Sequence, residues 1–249
     1  MKLKNKVALI TGASRGIGRS IALEFANEDA IVIVNYNKSE KEAEELISII
    51  NKNGKKASVI KADISIISDI TRMKEEIIKK YGKIDILVNN AGIYQKNNFF
   101  DSTEHSWDLT MNINLKGPYF CSQIIGREML DQKSGCIINI SSNSGIMPRK
   151  NKGIEYGVSK AGLIYLTQSL ALTLAPDVRV NCIAPGYTET EMSSLYKNSK
   201  LRAEIEKNIP LNRINMPEDV AKAALFLASE DSRNITGQII IIDGGYNLR

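Results

Sequence analysis

Histidine is nearly absent from this sequence: His105 is the single copy in 249 residues. Cysteine is scarce as well, and Cys121, Cys136 and Cys182 stand far apart. These shortages exclude whole chemistries. A histidine-based triad would have to be built on His105, which sits in the polar stretch Glu104-His105-Ser106 and reads as incidental. A zinc site of His and Cys lacks paired ligands, because neither Cys-x-x-Cys nor His-x-x-x-His occurs, and no metal site is expected. Three scattered cysteines make no disulfide framework, which points to a reducing compartment. Long hydrophobic runs are missing too. Nothing approaches the ~18 apolar residues of a membrane span. The four apolar residues 7–10 behind the basic N-terminus are too few for a signal peptide. The expectation is a cytoplasmic protein with no membrane partner.

Neither sign of charge dominates. Lys plus Arg number 33 and Asp plus Glu 28, a net +5 spread along the chain. Pairs such as Lys55-Lys56 and Lys79-Lys80 read as solvated surface, and no nucleic-acid partner is expected. With 43% hydrophobic residues, the chain can bury a sizeable core without staples.

What is present is an alternation. Residues 7–10, 31–34, 57–60, 84–88, 136–140, 178–183 and 239–242 are short apolar or β-branched runs, as strands buried on both faces require. Helical patterns fill the intervals at 16–28, 39–53, 65–81, 103–130 (interrupted near Gly117-Pro118), 155–174, 190–208 and 217–229. This predicts an α/β protein with a single-domain Rossmann fold over residues 1–249, a seven-stranded parallel doubly wound sheet with helices on both faces. A substrate flap is expected at about 188–212.

The segment Thr11-Gly12-Ala13-Ser14-Arg15-Gly16-Ile17-Gly18 follows the first strand and opens a helix. Glycines there let the backbone turn tightly and approach a pyrophosphate, which the helix N-terminus then receives. The end of the second strand selects between nicotinamide dinucleotides. An NAD site places an acid there to hold the ribose 2′-OH. Here the chain reads Val34-Asn35-Tyr36-Asn37-Lys38, with no acid before Glu40. Asn35 and Lys38, with Arg15 from the turn, are the candidates for the adenosine end, and NADP(H) is the expected cofactor.

Tyr156 and Lys160 stand four apart on a predicted helix and so share a face. An ammonium beside a phenol lowers its pKa from ~10 and lets it exchange a proton with a carbonyl oxygen. Ser141-Ser142, Asn89-Asn90-Ala91-Gly92 and Asn114-Leu115-Lys116-Gly117 fall where predicted strands end, at the edge where parallel sheets bind ligands.

Taken together, the motifs TGASRGIG at 11–18, NNAG at 89–92, Asn114, Ser142, YGVSK at 156–160 and PGYTET at 185–190 resemble those of the short-chain dehydrogenase/reductase family, in family order. The stretches 209–229 and 236–245 resemble its 3-oxoacyl-[acyl-carrier-protein] reductase subgroup. The resemblance implies roles. Tyr156 is the acid, Ser142 binds the substrate oxygen, Lys160 binds the nicotinamide ribose, and Asn114 holds a water in a proton relay. Gly12, Ser14, Arg15, Gly16, Ile17 and Gly18 line the pyrophosphate and adenosine side. Asp63 and Ile64 meet the adenine, while Asn90, Ala91 and Gly92 border the cofactor. Ile183, Pro185, Gly186, Thr188 and Thr190 border the nicotinamide.

The implied activity is NADPH-dependent reduction of a ketone to a secondary alcohol, with a 3-oxoacyl thioester as substrate and acyl carrier protein as a candidate partner. A dehydrogenase of a sugar, polyol or other small secondary alcohol is the alternative. A non-catalytic NADP-binding protein is disfavoured, because Ser142, Tyr156, Lys160 and Asn114 are all present. Relatives imply a homotetramer. The chain departs from the reductase pattern near the substrate. The 142–156 loop is one residue longer and lacks Gln-x-Asn before the tyrosine, and Ile93-Tyr94-Gln95 replaces the usual Ile-Thr-Arg.

Overall fold

The computed structural model describes residues 1–95, 97–148, 153–193 and 198–248. Its frame is a parallel sheet of seven strands: β1 (Val7–Ile10), β2 (Ile31–Tyr36), β3 (Lys56–Lys61), β4 (Ile86–Asn89), β5 (Gly135–Ile140), β6 (Val178–Pro185) and β7 (Ile239–Ile242). Their order across the sheet is β3-β2-β1-β4-β5-β6-β7, and every pairing is parallel. The chain winds outward from β1 in one direction and then from β4 in the other. The switch point therefore lies between the carboxyl ends of β1 and β4, where a crevice opens.

Strand alternation divides the core. Ala8, Ile10, Val32, Val34, Ile86 and Val88 point to one face, against helices α1 (Gly16–Asn27), α2 (Glu40–Lys52) and α8 (Pro217–Ala228). Val7, Leu9, Ile33, Leu87 and Ile137 point to the other, against α3 (Ile67–Tyr81), α5 (Gly117–Asp131) and α6 (Ile154–Leu174). Each fully buried Ile, Leu or Phe here contributes about 1.5–3 kcal/mol, so both layers are firmly held. Two shorter helices, α4 (Glu104–Met111) and α7 (Ser199–Lys207), complete those among the described residues. None of the described helices is long and apolar enough to cross a membrane.

Several boundaries differ from the sequence reading. The break expected near Gly117-Pro118 is instead a π-helical turn at Asn112–Lys116, and Pro118 sits in the first turn of α5, where its missing N–H does no harm. Helix α3 begins at Ile67 rather than near 65, because the Asp63 carboxylate accepts from the backbone N–H and hydroxyl of Ser65 in a tight turn. Among the described residues of the 188–212 stretch, Ser199–Lys207 is the α-helix, and residues 194–197 lie outside the described residues.

Candidate active site

The glycine turn is built by both halves of the sheet. The Thr11 hydroxyl accepts the backbone N–H groups of Asn90 and Ala91 at 3.0 and 3.1 Å. The Asn90 amide donates back to the carbonyls of Thr11 and Gly12 at 2.9 and 3.0 Å. Gly12 and Gly16 adopt φ of +60° and +56°, the left-handed region that favours glycine. A Cβ on Gly12 would lie 2.8 Å from Ala91 Cα, and one on Gly18 would collide with Asn90 Nδ2. Helix α1 starts here with no side-chain cap and no acid in its first turn. Its leading N–H groups and positive dipole end are thus left for an anion. This cradle fits a dinucleotide pyrophosphate.

The adenosine end is less as expected. Asn35 is turned inward, 2% exposed: its Oδ1 accepts from Gly12 N at 3.2 Å and its amide donates to the carbonyls of Ile60 and Ala62. It braces the glycine turn from β2 and offers no side-chain atom to a ribose. The Asp63 carboxylate is likewise engaged, by Ser65 and by the amide of Asn37. Ile64 is buried against Gly117, where a Cβ would come within 2.8 Å of its side chain. Lys38 is exposed at the strand end. Arg15 reaches across the crevice to Glu191 at 3.2 Å, in a solvent-exposed pair.

The polar cluster lies beyond β4, β5 and β6. Ser142, just past β5, holds its hydroxyl against the phenol of Tyr156 and accepts from Ser144 N at 3.1 Å. Lys160 is 4% exposed, and its ammonium donates to the carbonyl of Ile140 at 2.9 Å. Burial without a counter-ion pulls its pKa down to about 8. The sequence reading expects a lowered Tyr156 phenol, and the structure does not bear this out. Burial pushes it above its ordinary value, with the Ser142 hydrogen bond opposing and the Tyr94 phenol adding to the rise. The reason is that the ammonium is committed to Ile140, 5.8 Å from the Tyr156 ring centroid. Asn114 is fully buried in the π-helical turn, and its side chain clamps Ile93 from both sides: Oδ1 accepts from Ile93 N at 2.8 Å and Nδ2 donates to Ile93 O at 2.9 Å. Gly92 lies beside both residues, since a Cβ there would be 3.3 Å from Asn114 Oδ1 and 3.4 Å from Lys160 Nζ.

A cavity of about 150 Å3 joins Ile17, Ser142, Tyr156, Pro185, Gly186, Thr188 and Thr190. A Cβ on Gly16 would stand 3.5 Å from Thr190, so the cavity runs into the glycine cradle. Sequence reasoning missed four of its other lining residues: Tyr94, Asn143, Tyr187 and Met192. The Asn143 amide nitrogen is buried there without a partner, an uncommitted donor beside Gly186. Its place directly after Ser142 was the available signal. A larger groove of about 630 Å3 runs along β7 and α8, lined by Leu211, Ile240, Ile242 and Leu248, and shares no lining residue with the Tyr156 cavity.

A dinucleotide cradle opening onto a protonated phenol and a buried ammonium makes this a nicotinamide-dependent oxidoreductase site. Comparison with known proteins agrees. A family model described as enoyl-(acyl carrier protein) reductase matches residues 12–247. The 3-oxoacyl-[acyl-carrier-protein] reductase FabG of Staphylococcus epidermidis is 40% identical over 242 residues, covering 97% of this chain and 98% of the relative. That of Thermotoga maritima is 40% identical over 252 residues, covering 98% and 99%. Among solved structures, a short-chain type dehydrogenase/reductase from Mycobacterium marinum superposes with TM-score 0.94 at 35% identity, covering 100% of this chain and 98% of its own. One from Beutenbergia cavernae, provisionally assigned as an NAD(P)-dependent gluconate 5-dehydrogenase and holding NADP at low occupancy, gives 0.94 at 32%, covering 100% and 99%. The chain belongs to the short-chain dehydrogenase/reductase family.

Proposed function

We propose that the protein, as one domain, reduces the 3-keto group of an acyl thioester to a secondary alcohol with NADPH. The observation that carries this reading is the Ser142–Tyr156 pair, in which burial keeps the phenol protonated and ready to donate. NADPH, when bound along the glycine turn, would supply a hydride for the carbonyl carbon. Ser142 donates a hydrogen bond to the carbonyl oxygen and orients it. Tyr156 gives its phenolic proton to that oxygen as the C=O π bond is reduced, so the alcohol leaves neutral. General acid catalysis of this kind is worth about 10²–10⁴-fold. Lys160 holds the ribose. With the Asn114 side chain committed to Ile93, a relay water for reprotonating Tyr156 would rest on the Asn114 backbone.

The glycine turn and the uncapped start of α1 hold the pyrophosphate, with Ser14, Ile17 and Gly18 around it. Arg15 and Lys38 supply the charge for a 2′-phosphate. Pro185, Gly186, Thr188 and Thr190 border the nicotinamide. The FabG relatives support the thioester, and an acyl carrier protein would then be the donor of the chain. The small cavity and the gluconate dehydrogenase neighbour favour a second reading, oxidation of a sugar acid or polyol. A second copy of the chain would cover β7, an edge strand of four isoleucines, and further copies pairing through α5 and α6 would complete the tetramer that light scattering would detect.

The test is purified protein with acetoacetyl-CoA and NADPH, followed at the nicotinamide absorbance. Turnover that Tyr156→Phe lowers by about 10²-fold or more, with NADPH binding retained, supports the reading. Sugar-acid oxidation without thioester reduction overturns it in favour of the second.

A further inference from the structure

Glu155 is a buried carboxylate that the proposed reaction does not use. It is 3% exposed and directly precedes Tyr156. Its Oε1 accepts from the Asn97 amide at 3.0 Å and from the Ser102 hydroxyl at 3.1 Å. Its own backbone N–H also turns to the carboxylate. Burial works against the charge, yet these donors hold the carboxyl below its ordinary range. As the second residue of α6 it also sits at the positive end of the helix dipole. Charge-assisted hydrogen bonds of this kind are about twice as strong as neutral ones.

The first turn of α6 needs such a tie. Its N-cap is Gly153, which has no side chain to cap it. On one side Gly153 lies so close to Gln95 that a Cβ would be 2.6 Å from its carbonyl oxygen, and its N–H meets the Tyr94 hydroxyl. On the other side Glu155 carries the hydrogen bonds, among the described residues, that tie the turn to Asn97 and Ser102. One turn further on, the helix is held independently by Lys160, through Ile140 and Ser141. The freedom left to the first turn is therefore the freedom of Tyr156.

We propose that Glu155 is a positioning residue for Tyr156: its carboxylate clamps segment 97–102 to the start of α6 and fixes the phenol against Ser142. The inference rests on Tyr156 being the acid. Adjacent helical residues point about 100° apart, so Glu155 faces the clamp while Tyr156 faces the cavity. A displacement of about 1 Å at a reacting group can lower a rate by about 10²-fold.

The experiment compares wild type, Glu155→Ala, Glu155→Gln, the double variant Asn97→Ala/Ser102→Ala, and Tyr156→Phe. Each is assayed with acetoacetyl-CoA and NADPH, and NADPH binding is measured separately by fluorescence. The expected result is that kcat falls by about 10–100-fold in Glu155→Ala and in the double variant, with NADPH affinity held within about twofold. Glu155→Gln, whose amide oxygen still accepts from both donors, recovers kcat to within about threefold of wild type. Wild-type kcat in both clamp variants overturns the proposal, and so does equal loss in Glu155→Gln and Glu155→Ala. If Glu155→Ala fails to fold, the double variant decides alone, because it keeps the carboxylate. Full turnover in Tyr156→Phe would instead overturn the assignment of the acid.

Discussion

The Lys160 ammonium donates to the carbonyl of Ile140 at 2.9 Å while standing 5.8 Å from the ring centroid of Tyr156. The cation is thus held by the backbone of β5, and among the described residues no carboxylate pairs with it. Its pKa of about 8 against an ordinary 10.5 means that the fold tolerates the charge rather than profits from it.

A linkage follows. Between about pH 8 and 10.5 the folded chain has shed a proton that the unfolded chain still holds, so stability rises with pH across that window. Lys160→Met removes this contribution. Urea titrations of both proteins should show the wild type gaining on the order of 1–3 kcal/mol relative to the variant between about pH 8 and 10. A constant difference would mean that Lys160 titrates at its ordinary value.

The raised phenol sets a direction. Tyr156 is protonated at neutral pH, so kcat/KM for ketone reduction should be flat from about pH 6 to 8 and fall above that, as Lys160 loses its charge. The reverse oxidation needs the phenolate and should climb over about pH 8–10. Initial rates in both directions check this, and a reduction optimum above about pH 9 would contradict it.

Asn35 separates fold from cofactor choice. Asn35→Asp would set a carboxylate against the carbonyls of Ile60 and Ala62 and remove both donors. It should cost about 2–4 kcal/mol of stability, read by thermal or urea unfolding. Cofactor preference should respond instead to Arg15→Ala or Lys38→Ala. Each is expected to raise KM for NADPH roughly tenfold while leaving NADH unchanged, the loss of one charged phosphate contact.

Tyr94 walls the cavity beside Tyr156, with ring centroids 5.1 Å apart and planes at 80°. Tyr94→Ala opens that wall. The ratio of kcat/KM for a medium-chain 3-oxoacyl-CoA over acetoacetyl-CoA should rise about tenfold, the usual scale for an added apolar pocket. An unchanged ratio would place the acyl chain elsewhere.

The parts that sequence reveals are those built from near neighbours. The glycine turn is one unbroken stretch between a strand and a helix, and Tyr156 and Lys160 are one helical turn apart, so spacing alone brings them together. The parallel, doubly wound sheet of seven strands followed from continuous apolar strands with helices between. Asn35 was misread because β2 is buried on both faces, where alternation does not say which polar group turns inward, and its partners Ile60 and Ala62 come from the next strand. Glu155 lies within the 142–156 segment, where the sequence shows only that the family's Gln-x-Asn is missing. Its meaning depends on Asn97 and Ser102, more than fifty residues earlier. The phenol pKa was misjudged because i,i+4 spacing does not disclose that the ammonium is already spent on Ile140.

Thr11 and Asn90 join segments 79 residues apart, and neither could shape the turn at Gly12 without the other. A chain that had folded only its first three strands would have no pyrophosphate cradle. The cofactor therefore discriminates between a finished sheet and a half-made one. It shifts the folding equilibrium by mass action in favour of the completed molecule, by about 2.7 kcal/mol at a hundred times its Kd. Bound nicotinamide dinucleotide would then raise the unfolding midpoint of the finished molecule and leave a half-made sheet unprotected.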